Sequence, residues 1–379
     1  MATSSMAPQR ITLAFAFVWD LTESDNLLAT GPTIVLPANS ITTQTSAQIE
    51  TLPKSHAIAR KSWDVLRFDL GLLKETIKSA LLGSGTIRAA QFLLPARVMI
   101  LRYHSVREQP AELDAYISCG ITHSSSLFRA QMEYVAQTCH PVTLDEIPEY
   151  VTGALPIPKR AVAITFDDGF RDNYEIAAPI LERYGLRGAF YIATSSVEGR
   201  PLWFVRMRYW TVRGKIARPE FLDASGRCAT LTQPEREEFM AQLEQGGTVH
   251  DTFTMTWAQA RDLLERGHVI GSHTVHHPNL TKVPRNEMRL EMEESRKCLE
   301  SELGRPVRHF SYPNPILTPH WNEETVKASH QAGYSTAVTS NDGYITKGID
   351  ILALPRQSAA QTFQEFVWNL EMGFCGRKQ

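Results

Sequence analysis

Two rhythms of hydrophobic and polar positions run along this chain, and the change falls near residue 95. Over 62-SWDVLRFDLGLLKETIKSALLGSGTIRAAQFLL-94 apolar residues recur at helical spacing, broken by Gly-Ser-Gly at 83–85. That pattern predicts a helical lead-in over 61–95, packed on the main body. From residue 96 onward, short β-branched or aromatic runs alternate with capped amphipathic segments, the signature of βα units. Seven runs read as strands: 97-RVMILRY-103, 161-AVAITFD-167, 188-GAFYIAT-194, 268-HVIGS-272, 307-VRHFSY-312, 335-STAVTS-340 and 351-ILALPR-356. Between them the helices are punctuated. Thr143 and Glu146 form a capping box, 174-YEIAAPILERY-184 stops at Gly185, 257-WAQARDLLER-266 starts after Thr256 and stops at Gly267, and 286-NEMRLEMEESRKCLESEL-303 stops at Gly304.

Two segments depart from this rhythm. Residues 1–60 are rich in Ser, Thr, Ala and Pro without sustained periodicity, and read as a poorly ordered extension. Residues 198–255 form an insertion the size of a subdomain, with the aromatic run 201-PLWFVRMRYW-210 and a charged helix near 234–245. Long insertions between barrel elements usually lie at the functional rim.

Composition narrows the function classes. A formal net charge of −2 and the lack of any long Lys/Arg run exclude the phosphate-neutralising footprint of a nucleic-acid binder. Five cysteines without CxxC spacing give neither a disulfide framework nor a thiolate zinc site, and read as buried free thiols. No apolar run reaches the roughly 18 to 20 residues that span a bilayer. The stretch 11-ITLAFAFVW-19 has the length of a signal h-region, but acidic residues follow at once and no A-x-A site is visible, so the cytoplasm is favoured over the cell envelope. The oligomeric state is open.

Two stretches carry candidate chemistry. In 161-AVAITFDDGFRDN-173 an apolar strand delivers Asp167 and Asp168 at its carboxyl end, where α/β folds build active sites. Adjacent carboxylates on an extended backbone point to opposite sides, so one can bind a cation while the other acts as a base. Taken alone, the same residues are equally a turn and a helix cap. In 271-GSHTVHHPNL-280, His273 can share a face with His276 or with His277. Two imidazoles and one distant carboxylate make the open ligand set of a catalytic divalent metal, which acidifies water and polarises a carbonyl. Pro278 disfavours a continuous helix through this stretch, so spacing does not choose between the two pairs.

TFDDG at 165–169, 273-HTVHH-277 and 310-FSYPNP-315, in that order, resemble the first three motifs of the polysaccharide deacetylases, carbohydrate esterase family 4. The resemblance covers roughly residues 96 to 360. It implies an α/β fold, a distorted (β/α)7 barrel, here with an N-terminal helical extension and an inserted rim segment. It also implies metal-dependent removal of N-acetyl groups from a carbohydrate. By the same resemblance Asp168, His273 and His277 are the metal ligands, with zinc first and Co, Ni or Mn as alternatives. Asp167 is the base toward the attacking water, and the backbone N–H of Asn314 helps hold the oxyanion. His276 falls at an unconstrained motif position.

Three departures from the family pattern set further expectations. The third motif lacks its arginine, Ser311 standing there, and ends in Pro315, so the brace on the base must come from elsewhere: Arg356 first, Arg308 second. No histidine follows His330, so the usual acid is missing from the C-terminal strand. Circularly permuted members open on a strand ending in a YH pair, and 99-MILRYHSV-106 is such a strand, which makes His104 the acid. Tyr312 of the third motif, and Trp203 and Trp210 of the insertion, are candidate sugar contacts, although the insertion's aromatics serve equally as an apolar anchor. Two other readings use the same residues, an amidase on a small non-sugar amide and a catalytically weak glycan-binding relative.

Overall fold

The computed structural model describes residues 75–109, 119–199, 201–249, 253–315 and 318–377. The readings of residues 1–60, of the apolar run 11–19 and of lead-in residues 61–74 lie outside the described residues. The chain divides into two compact units, residues 1–86 and 87–379, a boundary inside the lead-in. In the first unit a helix runs over 75–83 and stops at the Gly-Ser-Gly break, where Gly85 takes a left-handed φ of 70°.

The boundary falls after the first residue of α1 (Thr86–Leu93), which is followed by β1 (Val98–Tyr103), β2 (Ser105–Arg107), β3 (Thr122–Ser124), α2 (Ser125–Thr138) and β4 (His140–Pro141). The order continues with α3 (Ile147–Thr152), β5 (Ala161–Phe166), α4 (Ala178–Arg183) and β6 (Ala189–Ile192). Then come α5 (Trp203–Val212), α6 (Arg218–Cys228), α7 (Gln233–Glu244), α8 (Trp257–Glu265) and β7 (Val269–Ser272). The chain closes with α9 (Arg285–Leu303), β8 (His309–Ser311), α10 (Glu323–Gln331), β9 (Thr336–Val338), β10 (Gln357–Ser358) and α11 (Phe363–Phe374). No helix among the described residues is long and apolar enough to cross a membrane.

The main sheet is parallel throughout, in the order β10-β1-β5-β6-β7-β8-β9, with β4 added beside β5. Its ends are joined through the residues before β10, by a parallel bridge from Val338 to Leu354 and backbone bonds from Leu354 to Ala337 and from Thr339 to Leu354. This is the expected distorted seven-stranded barrel. One strand moves: the predicted 351–356 run supplies that bridge and a turn, and the ladder proper falls at Gln357–Ser358, paired with Leu101 and Arg102. Period-2 alternation decides which side chains point inward. Val98 and Ile100 of β1, Ala161 and Ala163 of β5, and Ala189 and Tyr191 of β6 join Val338 and Leu354 in one buried cluster that plugs the barrel. Small residues on β5 let the strands curl around it.

The punctuation works as read at three helices. Thr143 and Glu146 form the capping box, Thr256 caps α8, and Gly267 and Gly304 take left-handed conformations at the ends of α8 and α9. The predicted 174–184 helix instead opens as a π turn over Asn173–Ala177 before α4. Pro179 has no N–H to donate and so cannot continue an ordinary helical ladder. The insertion folds as three helices, α5 to α7, around its own core of Trp203, Met207, Trp210, Ile216, Cys228 and Met240. Leu202 and Val205 pack on Phe170 and Ala193 of the barrel. Cys139, Cys228, Cys298 and Cys375 are free thiols, Cys228 fully buried and the other three only half-buried.

At the amino end of the barrel, Glu371 of α11 is almost wholly buried and receives two bonds of 2.7 Å from the guanidinium of Arg160, with Gln91 of α1 as a further donor. Breaking such a buried pair from one side costs about 3–5 kcal/mol, because a carboxylate is left without its counter-charge. Arg160→Met should lose stability of that order in denaturant unfolding, with the docking of α1 and α11 weakened first.

Candidate metal centre

The carboxyl ends of β1, β5, β7 and β8 meet at one rim, and the alternation that buries Ala163 inward also turns Thr165 and Asp167 inward. Asp168 then breaks from the strand with φ 73°, and Gly169 follows at φ 71°. A left-handed aspartate is costly, and such backbone persists only where its surroundings hold it. The N–H of Met255 donates to the Gly169 carbonyl and that of Arg171 to Phe253, so the insertion's return strap fixes this turn.

After β7 the chain forms a turn rather than a helix. Thr274 (φ 68°) and His277 (φ 57°) are both left-handed, and the His277 N–H donates to Thr274 Oγ1 at 3.0 Å. Glu291 of α9, itself buried, accepts from the N–H groups of Val275 and His276 at 2.8 Å each and pairs with the His276 ring at 2.7 Å. His276 is therefore turned away, and His273 and His277 face Asp168.

Asp168, His273 and His277 are all buried, and their ligand atoms lie within 4.8 Å of one another. Asp168 Oδ1 is 3.5 Å from His273 Nε2 and 3.4 Å from His277 Nε2. The other ring nitrogen of His273 donates to the Ser311 carbonyl at 2.8 Å, which fixes the tautomer and leaves Nε2 with its lone pair toward the centre. Burial pushes His277 down to about 3, so its ring is neutral. Asp168 Oδ1 is buried without a hydrogen-bond donor. A buried carboxylate oxygen facing two imidazole nitrogens is an acceptor set that a divalent cation satisfies, so the residues present fit a metal.

Asp167 is held separately. Burial opposes its ionisation, but the charge of Arg356 outweighs that and keeps the carboxyl far below the usual range. Arg356 is fully buried and donates to both oxygens at 2.7 Å, to Thr339 O at 2.8 Å and to Ser311 Oγ at 3.1 Å. The guanidinium that the third motif lacks thus arrives from the approach to β10, and the small Ser311 leaves room for it while adding a bond of 3.2 Å to Asp167. Arg308 is largely exposed near Asp145, at the amino end of β8 and therefore at the wrong end of the barrel.

His104 follows β1, its Nε2 3.9 Å from Asp167 Oδ2. Asn173 donates to its carbonyl at 2.6 Å, while Asp172 accepts from the Val106 N–H at 3.2 Å, which fixes the turn after the strand. Burial pushes His104 down to about 4.

A cleft of about 350 Å³ opens over these groups, lined by His104, Asp167, Asp168, His273, His277 and Asn314. Phe204 forms one wall, its ring centroid 4.8 Å from that of His277. Three expected sugar contacts are corrected. Trp203 and Trp210 are buried in the insertion's core, with Trp203 donating to the His277 carbonyl at 3.1 Å. Tyr312 is fully buried, its hydroxyl 2.9 Å from the Leu352 carbonyl. Cleft residues that the motifs did not point to are Arg102, Arg208, Phe221, Leu222 and Ser340. Arg102 was within reach of simple alternation, being two residues beyond the inward Ile100 and two before His104; the others are brought in by the insertion and by loop packing.

Residues 155–337 match the family model described as Polysaccharide deacetylase. This segment belongs to the polysaccharide deacetylase family. Among curated relatives, YxkH of Bacillus subtilis is 24% identical over 256 residues, covering 66% of this chain and 72% of that protein. The family fold recurs in the Streptococcus pyogenes deacetylase PplD, solved with acetate (TM-score 0.52, 20% identity, 73% of this chain and 99% of that one). It recurs also in a de-N-acetylase from Aggregatibacter actinomycetemcomitans (TM-score 0.52, 17% identity, 72% and 99%). Within this polysaccharide deacetylase segment the metal-binding Asp/His/His set is intact.

Two measurements check this geometry. His277→Ala should lose bound divalent metal by elemental analysis, whereas His276→Ala, whose ring faces Glu291, should keep it. Arg356→Met removes the charge that holds Asp167 ionised, so the carboxyl pKa rises and the acid limb of the kcat/KM profile moves to higher pH.

Proposed function

We propose that this chain is a hydrolase that removes N-acetyl groups from a carbohydrate. The observation that carries the reading is the separation of two adjacent carboxylates into two roles, Asp168 facing two histidines and Asp167 clamped by Arg356, on the floor of one cleft. The names of the family and of its relatives agree with it.

A divalent cation, for which two imidazoles and a carboxylate suit zinc first and Co, Ni or Mn next, would acidify a water to a pKa of roughly 7 and polarise the amide carbonyl. Asp167 accepts the water's proton as the oxygen attacks the acetyl carbon. Its low pKa makes it a weak base alone, so this transfer relies on the water being acidified. The Asn314 N–H donates to the carbonyl oxygen as charge develops there; one such donor is worth about 2.7–4 kcal/mol in other enzymes. His104, neutral at rest and 3.9 Å from Asp167, takes the proton from it and delivers it to the leaving nitrogen, and the C–N bond breaks to give acetate and a free amino sugar.

Acetate release from N-acetylglucosamine oligomers should vanish with a chelator and return with added Zn, Co, Ni or Mn. Metal-loaded, folded protein that releases nothing from any acetylated sugar would sink the reading. Asp167→Asn and His104→Ala should each lower turnover by about 10²- to 10⁴-fold, the span of general acid–base catalysis, with metal still bound. Loss of metal from His104→Ala would make that residue a ligand instead.

A further inference from the structure

We propose that Arg102, supported by Arg208, makes the cleft read an anionic group, so that the acetylated sugar taken here carries a carboxylate or phosphate near its acetamido group. The inference rests on the deacetylase reading and names its substrate class.

Arg102 continues the inward face of β1 after Val98 and Ile100, in register with Thr165 of β5 and Ser358 of β10. Arg102 lines the cleft. One nitrogen donates to Ser358 Oγ, but Nε is buried with no partner, and among the described residues no carboxylate pairs with it in a salt bridge. Burial, and then the charge of Arg356, push its pKa down to about 10, which still leaves it a cation at neutral pH. A largely buried guanidinium without a counter-ion is costly, and chains rarely keep one without use.

The acidic groups nearby are committed elsewhere. Asp167 is chelated by Arg356, and Asp168 faces the two histidines. Asp342, which acts on Arg102 through its charge, stays beyond salt-bridge distance and accepts from the Ser358 N–H at 3.4 Å. From the insertion, Arg208 brings a second guanidinium to the cleft, 5.3 Å over the Phe221 ring. Planar guanidinium forks match carboxylate and phosphate oxygens in a way that sugar hydroxyls do not. A neutral glycan would leave the Arg102 charge uncompensated, whereas an anionic substituent would neutralise it and orient the ring above Asp167.

The test compares kcat/KM for acetate release by the metal-loaded chain on three substrates: a neutral N-acetylglucosamine tetramer, a tetramer alternating with N-acetylmuramic acid (carboxylate), and an N-acetylglucosamine oligomer bearing a 6-phosphate. At least one charged substrate should be favoured by about tenfold, the scale of one charge-assisted contact, and the preference should shrink with added NaCl. Arg102→Gln should abolish that preference and Arg102→Lys retain part of it; Arg208→Gln should reduce it independently, which keeps the test decisive if Arg102→Gln fails to fold. The arm that shows the preference identifies the anion. Equal wild-type kcat/KM on all three, or the same preference in wild type and Arg102→Gln, would overturn the anion inference while acetate release upholds the deacetylase reading. No acetate from any substrate would overturn both.

Discussion

The buried pair between Arg356 and Asp167 is the interaction on which the rest of the site depends. It joins the carboxyl end of β5 to the approach to β10, across β1, and its remaining donors reach Thr165 and Ser311 and the carbonyl of Thr339 after β9. The last strand, β10, pairs with β1, and the residues that lead into it close on β9 through the Val338–Leu354 bridge and backbone bonds from the N–H groups of Ala337, Leu354 and Thr339. The guanidinium adds side-chain bonds across that closure, to the Thr339 carbonyl on one side and to Asp167 on the other. Desolvating two charges is expensive, and the arrangement stands because every strong donor has an acceptor.

The metal ligands are placed by a different device. Asp168 and His277 both sit on left-handed backbone, as does Thr274 between the two histidines. Each such residue costs energy, and here Glu291, the Thr274 hydroxyl and the insertion's strap hold the turns in place. Strain at the ligands is therefore offset by contacts from α9 and from the insertion. The insertion thus shapes the cleft wall through Phe204 and Phe221 and also stiffens the turn beneath it.

Much of this was legible in the chain itself. The β-branched runs and glycine stops mark the strands and helices because their periodicity and capping are local physics. Asp167, Asp168 and His273 stand out because a strand end, a turn and polar residues coincide there. The choice of His277 over His276 came from the motif, since spacing allowed either and Pro278 removed the helical argument. The structure places His277 toward Asp168 and turns His276 to Glu291, fifteen residues further on in a helix that spacing did not connect to it.

What the sequence by itself determined is the order of elements, the seven-stranded α/β character and the acids and imidazoles available for chemistry. Only the tertiary structure decided which of them meet. Arg356 and Asp167 lie 189 residues apart, and nothing local distinguished Arg356 from Arg308 except the end of the strand on which each falls. Trp203 and Trp210 read equally as sugar platforms and as anchors, because an aromatic run at a helix start is the same in either case. Burial in a three-helix core settled them, and closure of the barrel brought Arg102 to the cleft. Local propensity follows from each residue's own backbone and neighbours, whereas partnership in a site depends on strand order and register, which long-range packing sets.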